Sequence, residues 1–517
     1  MRWGLGVSGI VGLALLVGSA VGLAQAQEGG GVRTTSVDGI PVTLYSPGGQ
    51  QPTVIVAHGF AGSAQMVDPL ARGLTRAGFT VVTFDFPGHG ESGAILPGDS
   101  ADRRTSWDLL TEPLGEVVDW TLAQPEVDRS RLALLGHSMG AGAVVAYAVD
   151  DAQGDATIGA TVALSLPSAD DVPPGEPSVP ADLLLLHGAL EPEQFATAAL
   201  EALRAGYPDA VPGVTYGEPG EGTARRADTI PGVEHIGILF TGATLDASVA
   251  WLSDSLGHSP TATFLAPVLL WAVLALIGAG LLMAPLAFLL LGSGTRQSWD
   301  PEPPPVRGRT VLLLTGLASA LACGGAWLLG PVSDQVPVAV GGYLAAWFAC
   351  AGVVIGLWWA IRRSRTDLWP LVTWRSFIGA LVLASVATLA VVIPGSMSWA
   401  AFSLVGVRAW TAVLLLLVFL VFFGADELVM RRASLGRRLG LVVGSRLLAV
   451  AILLAAIPVL GAPGFLILVL PLLLLFLLVL AGYAAICARG RNGYLAAVLV
   501  QAVPAALLVA TTFPLMD

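Results

Sequence analysis

The chain has 517 residues, 55% of them hydrophobic and only 12% charged, a balance outside the range of ordinary soluble proteins and expected of one that enters a membrane. All 26 basic residues are arginine, so no GxxxxGK[ST] phosphate loop exists, and the three cysteines lie in the second half, which leaves the first without a disulfide framework, thiolate nucleophile or Cys-based zinc site. Residues 27–262 carry 30 acidic and 10 basic side chains (net −20) and residues 263–517 carry 7 and 15 (net +8); such an acidic first half repels polyanions and argues against a nucleic-acid partner.

Met1 and Arg2 precede an apolar run from Trp3 to about Leu23, and Ala24-Gln25-Ala26 follows as a small-x-small site. Residues 1–26 therefore read as a secretory signal, and the run is long enough to stay as an anchor; either way the next domain is expected to be exported.

From about Val37 to Leu256 short apolar runs alternate with longer amphipathic segments, the pattern of a parallel sheet covered by helices. Strands are predicted at 42–46, 52–59, 79–86, 131–138, 158–166 and 181–188, with a weaker one at 213–217. Helices are predicted at 66–77, 106–123, 139–150, 192–205 and 236–256.

After Gly257 eight apolar runs follow, roughly 264–291, 310–330, 337–361, 376–393, 409–424, 440–460, 464–487 and 494–513, most of them long enough to span a bilayer. The stretch PGSMSWAAFSLVG (394–406) is read as extending the fifth helix or lying at the interface. Arginines cluster after every odd-numbered span: Arg296, Arg307 and Arg309; Arg362, Arg363, Arg365 and Arg375; Arg431, Arg432, Arg437 and Arg438; Arg489 and Arg491. The loops 331–336 and 461–464 hold none, so the positive-inside rule places the clusters in the cytoplasm and the first domain outside.

The strongest chemical signal is Gly136-His137-Ser138-Met139-Gly140 between the apolar strand LALL and the helix AGAVVAYAV. This strand-turn-helix setting suits a nucleophile elbow: the glycines permit the tight turn and the serine oxygen stands above the sheet. Two further segments end strands in glycine-rich loops, VIVAHGFAG (54–62) and TFDFPGHGESG (83–93).

The order VIVAHGF, FDFPGHGES, VDRSRLALLGHSMGAG closely resembles the α/β-hydrolase superfamily, among its members the lipase-like and dienelactone-hydrolase-like groups, over about residues 38–256. The resemblance implies an oxyanion hole from the backbone N–H groups of Phe60 and Met139, and a triad in the order Ser, acid, His. His235, in IPGVEHIGILF, stands at the family position of the base, whereas His258 lies in the linker. The acid position falls on Glu191, with Asp170 and Asp171 as competitors after the preceding strand. His58, His89, His137 and His187 fall within family motifs and are expected to shape loops. Only SADDVPPGEPSVP separates strand 158–166 from the next, too short and proline-rich for a lid helix, so the site should be open unless the membrane domain covers it.

Asp426-Glu427 with Arg431 resembles the EExxxR signature of an intramembrane protease family, but that family needs histidines on later helices and none follows His258. These charges are expected to pair and be solvated at a cytoplasmic helix end, with Arg408 and Arg446 also near the interface.

The expected architecture is therefore α/β: an α/β-hydrolase fold with a minimal lid (27–258) after the signal or anchor (1–26), followed by an all-α polytopic membrane domain of about eight helices (259–517). The expected activity is serine-dependent cleavage of an ester, thioester or amide, without cofactor or metal. The expected partners are a small-molecule or lipid-linked acyl substrate and membrane lipid. The alternative is a catalytically silent hydrolase-like module regulating a transporter or sensor.

Overall fold

The computed structural model describes residues 2–97, 103–154, 156–292, 305–362, 373–430, 433–490 and 492–516; Arg296, Arg363, Arg365, Arg431, Arg432 and Arg491 lie outside these ranges. The chain divides into two compact units. One holds Gly22–Leu269, Gly395–Ser403 and Pro514–Asp517; the other holds Met1–Val21, Leu270–Pro394 and Leu404–Phe513.

Among the described residues of the first unit, eight strands make one sheet: β1 (Gly31–Val37), β2 (Ile40–Ser46), β3 (Gln51–Ala57), β4 (Thr80–Phe84), β5 (Val127–His137), β6 (Ile158–Leu164), β7 (Leu183–Gly188) and β8 (Arg225–Ile230). Their spatial order is β1-β2-β4-β3-β5-β6-β7-β8. Pairing is antiparallel from β1 to β4 and parallel from there to β8. After α1 (Arg2–Ala26), the covering helices are α2 (Ala64–Arg76), α3 (Arg103–Leu122), α4 (Met139–Asp151), α5 (Glu193–Gly206) and α6 (Gly242–Leu256). Because successive side chains of a strand face opposite sides, β3 sends Val54 and Val56 into a core shared with α2 and α6, and Ile55 and Ala57 into one shared with α3 and α4. A third cluster packs α5 against β6, β7 and β8. Burial on both faces explains why these strands read as continuous apolar runs.

Two strands differ from the sequence expectation. β1 (GVRTTSV) is an exposed edge, antiparallel to β2, and carries too few apolar residues to register as a strand. The last strand is β8, RRADTI, not 213–217, where Tyr216 makes only an isolated bridge to Arg225. Arg225 is fully buried, and its guanidinium donates to the carbonyls of Glu176, Pro177, Val179 and Ala202, so a polar-looking segment fills an interior position. The unit also continues beyond 258: Thr261 bonds the carbonyls of Arg76 and Ala77, and Leu265 packs on the core.

The second unit contains α7 (Val268–Leu291), α8 (Gly308–Leu328), the short α9 (Gly330–Ser333), α10 (Gly341–Arg362), α11 (Trp374–Gly395), α12 (Val407–Met430), α13 (Leu435–Leu460), α14 (Leu466–Cys487) and α15 (Tyr494–Thr512). Among the described residues nine helices are long and apolar enough to cross a membrane, α1 and the eight expected from sequence. Within this unit α1 packs on α7: Ser8 Oγ donates to Leu281 O (2.8 Å), and Gly12 meets Gly278 closely enough that a Cβ on either would crowd the other's carbonyl.

The charges of α12 depart from expectation. They pair, but in the interior: Glu427 binds Arg438 of α13 with both oxygens and Asp426 accepts from Arg446 (2.6 Å), all four being buried. Arg438 and Arg446, eight residues apart on α13, face Glu427 and Asp426 across the helix pair, and this mutual pairing removes the need for solvent. Arg408 is buried too, and donates to the carbonyls of Ala510 and Phe513 at the end of α15. The 394–406 stretch does not extend the fifth helix, since α12 starts only at Val407 and 395–403 belongs to the first unit.

Candidate active site

The site lies where ligands bind in parallel sheets, beyond the carboxyl ends of the central strands. Between β5 and α4 the chain reverses at Ser138, which has φ +55° and ψ −118°, strained values for a residue with a side chain. Glycine neighbours make the turn possible: a Cβ on Gly136 would collide with the Gly140 carbonyl, and one on Gly140 would lie 2.5 Å from the carbonyl oxygens of Ala57 and His58. Helix α4 therefore starts hard against the loop that follows β3.

His235 reaches Ser138 from the loop after β8, with Nε2 3.0 Å from Oγ. Its Nδ1 lies 2.5 Å from Glu191 Oε1. The other oxygen, Oε2, accepts from Gly188 N (2.5 Å) and Ser165 Oγ (3.0 Å). Glu191 is thus fixed by two donors at the ends of β6 and β7, and its longer arm spans from the β7 turn to the imidazole. Of the competing acids, Asp170 accepts from Ser168 within its own turn, and His235 Nδ1 takes Glu191. Phe195 of α5 packs against the His235 ring, centroids 4.6 Å apart and tilted by 34°, and Glu234 accepts from Ile236 N and Gly237 N, so the loop that presents His235 is braced on both sides.

Phe60 sits in the turn after β3, and Met139 is the first residue of α4, where an amide has no carbonyl partner inside its own helix. A Cβ on Gly59 would come 3.1 Å from Ser138 Cβ, so this turn abuts the elbow. The nearby histidines hold loops together. His58 Nδ1 donates to Gly59 O (2.8 Å), while its Nε2 accepts from Phe86 N (3.1 Å) and so joins the loops after β3 and β4. His137 Nε2 donates to the carbonyl of His235 (2.8 Å), which ties the Ser138 turn to the loop that presents His235. Burial pushes both below the ordinary imidazole range, His58 to about 4 and His137 to about 3, so both are neutral near pH 7. Asp85 joins the same frame through Ala64 N (2.7 Å) and Glu91 N (2.9 Å). His187 lies beside Thr229 and His258 against Phe79, away from the reacting group. Among the described residues no cluster of three or more His, Cys, Asp or Glu could hold a metal ion.

Sequence reasoning missed Ser165 and Phe195. A usable signal for Ser165 was its place at the carboxyl end of an apolar parallel strand, one sheet position from the elbow. Phe195 looks like any helix core residue.

Residues 49–186 match the family described as "Serine aminopeptidase, S33". An uncharacterized 31.7 kDa Escherichia coli protein is 35% identical over 121 residues, 22% of this chain and 39% of the relative, so the match spans well under half of that protein. Among solved structures the chain is similar to a dienelactone hydrolase from Anabaena variabilis (20% identity, TM-score 0.35, covering 44% of this chain and 100% of that one). It is also similar to an esterase from Pyrobaculum calidifontis (15% identity, TM-score 0.33, 48% and 93%). With the sheet order, the elbow and the family match together, the first unit of this chain has the α/β-hydrolase fold, and the same chain carries, among the described residues, helices long and apolar enough to cross a membrane.

Proposed function

We propose that the chain is a membrane-attached serine hydrolase that cleaves carboxylic esters, thioesters or amides through an acyl-enzyme. Ser138 Oγ attacks the carbonyl carbon as its proton passes to His235 Nε2. The tetrahedral intermediate expels the leaving group, which takes that proton, and leaves the acyl group on Ser138. Water, giving a proton to the same Nε2, then attacks the acyl carbon and releases the acid. Glu191 holds His235 with Nδ1 protonated and balances its charge once Nε2 is loaded. The amides of Met139 and Phe60 are assigned to the developing oxyanion, a role worth about a hundredfold or more in rate per donor.

The observation that carries this reading is the unbroken line Ser138 Oγ, His235 Nε2, His235 Nδ1, Glu191 Oε1, with the far carboxylate oxygen anchored by Gly188 and Ser165. An extracytoplasmic hydrolase domain is supported by the arginine pattern of the loops. The packing of α1 on α7 supports its retention as a membrane helix. The substrate is expected to be a small or lipid-linked acyl compound that meets the enzyme at the membrane surface. Ser138→Ala in the intact chain tests the reading: hydrolysis of a short-chain ester should fall by at least about a thousandfold with expression and membrane insertion unchanged. Retention of several per cent of turnover would remove Ser138 from the mechanism.

A further inference from the structure

Two short stretches that follow apolar helices in sequence belong to the hydrolase unit, Gly395–Ser403 and Pro514–Asp517. The second is stitched into the loop that follows β4. Leu515 N donates to Gly88 O (2.8 Å), Leu96 N donates to Leu515 O (2.9 Å), and Met516 forms a parallel bridge with Leu96. The tail thus joins the two limbs of one loop. Leu515 is buried, and Met516 packs on the cluster that contains Phe84, Phe86 and Leu96 and is flanked by Met139. Gly88 has φ +77°, and a Cβ there would collide with the Leu515 carbonyl, so the contact depends on a residue without a side chain.

The loop so held leads directly to the reacting centre. His89 follows Gly88, its Nδ1 bonded to Pro87 O (2.9 Å), and its ring lies 5.1 Å from His58 and edge-on to Phe60 at 5.6 Å. His58 bonds Gly59 O and Phe86 N, on either side of this junction. The other stretch touches the same region from its far end: Trp399 O accepts from Ser63 Oγ (3.4 Å), just after the Phe60 turn, and Trp399 packs on the α2 and α6 core.

We infer that residues 514–516 are an intramolecular strap that positions the Gly88-His89 turn against Phe60, so that turnover at Ser138 depends on these residues. This rests on the serine-hydrolase reading. The strap residues act through Phe60 and do not touch the reacting atoms, so loosening them should weaken transition-state stabilisation and leave ground-state binding of a small ester almost unchanged.

The test uses the full chain in detergent, with the truncation after Phe513 and, because truncation can prevent accumulation, with Leu515→Pro, which deletes the N–H that reaches Gly88 O. Leu515→Ile is the conservative control. The strap predicts a fall in kcat on the order of tenfold, below the hundredfold that an ångström of misplacement can cost. KM for a short-chain p-nitrophenyl ester should stay within about twofold. The Leu96 amide should exchange faster in the altered chains and at the parental rate in Leu515→Ile. An active parent whose variants keep their kcat, or keep slow exchange at Leu96, overturns the strap alone. A parent with no turnover and no fluorophosphonate adduct overturns the hydrolase reading, and with it the strap's catalytic role.

Discussion

Glu191→Gln is the most informative single change, because both carboxylate oxygens face donors. Oε1 meets His235 Nδ1, and Oε2 meets the Gly188 amide and the Ser165 hydroxyl. A glutamine offers one oxygen and one NH₂. If its oxygen stays with Gly188, the NH₂ points at Nδ1 and drives the imidazole to the tautomer with the proton on Nε2, which cannot accept the proton of Ser138. If the oxygen faces Nδ1, an N–H is pushed at the Gly188 N–H across 2.5 Å, and a buried donor is left unmatched at about 1–3 kcal/mol. Ser165 can rotate its hydroxyl to accept, but Gly188 cannot. The first arrangement is therefore favoured, and a wrong tautomer in such a triad costs about four decades in kcat, roughly 5–6 kcal/mol of barrier. Steady-state hydrolysis of a short ester by the intact chain reads this directly. Asp170→Asn and Asp171→Asn run in parallel should stay within about threefold of the parent, as changes outside the triad. Comparable mild losses at all three positions would show that Glu191 does not orient His235.

Other consequences follow from the buried histidines and the helices. Because burial holds His58 near 4 and His137 near 3 while an unfolded imidazole titrates near 6.5, the unfolded state binds more protons below pH 6.5, and the hydrolase unit should lose stability as pH falls. The loss is about 1.4 kcal/mol per pH unit per histidine, about 4 kcal/mol for the pair by pH 5, and pulse proteolysis from pH 7 to 5 should show it; a flat profile contradicts their neutral burial. If α1 is a retained helix, the intact mass of the purified protein will include residues 1–26, whereas a mass starting near Gln27 means cleavage after Ala26. With the native cysteines removed, a cysteine at Asp334 should react with an impermeant maleimide in intact cells and one at Arg375 should not; the reverse pattern places the hydrolase unit in the cytoplasm.

The parts of the fold readable in the sequence were those buried on both faces. LALL, VIVA and LLLL could be read as strands because parallel central strands carry apolar side chains on each side. β8 was not readable, because Arg225 hides its charge among four backbone carbonyls, and no local pattern announces that arrangement. The approach of His235 to Ser138 was legible because both residues stand in motif contexts, and that of Glu191 to His235 because the β7 turn is short. Ser165 and the strap were not, since their partners lie 26 and more than 400 residues away and are reached through a hydroxyl and through backbone groups. The interior pairs of α12 and α13 were misplaced for a related reason: sequence shows charge near a helix end but not that the next helix supplies its partner.

The central claim is that Ser138 is an activated nucleophile. The intact chain, treated with a fluorophosphonate at neutral pH and digested, should carry one adduct on the peptide containing Ser138, absent from Ser138→Ala and at least about a hundredfold slower to form in Glu191→Gln. A parent chain that forms no adduct at Ser138, or one that labels equally fast in the Glu191 variant, would contradict the account.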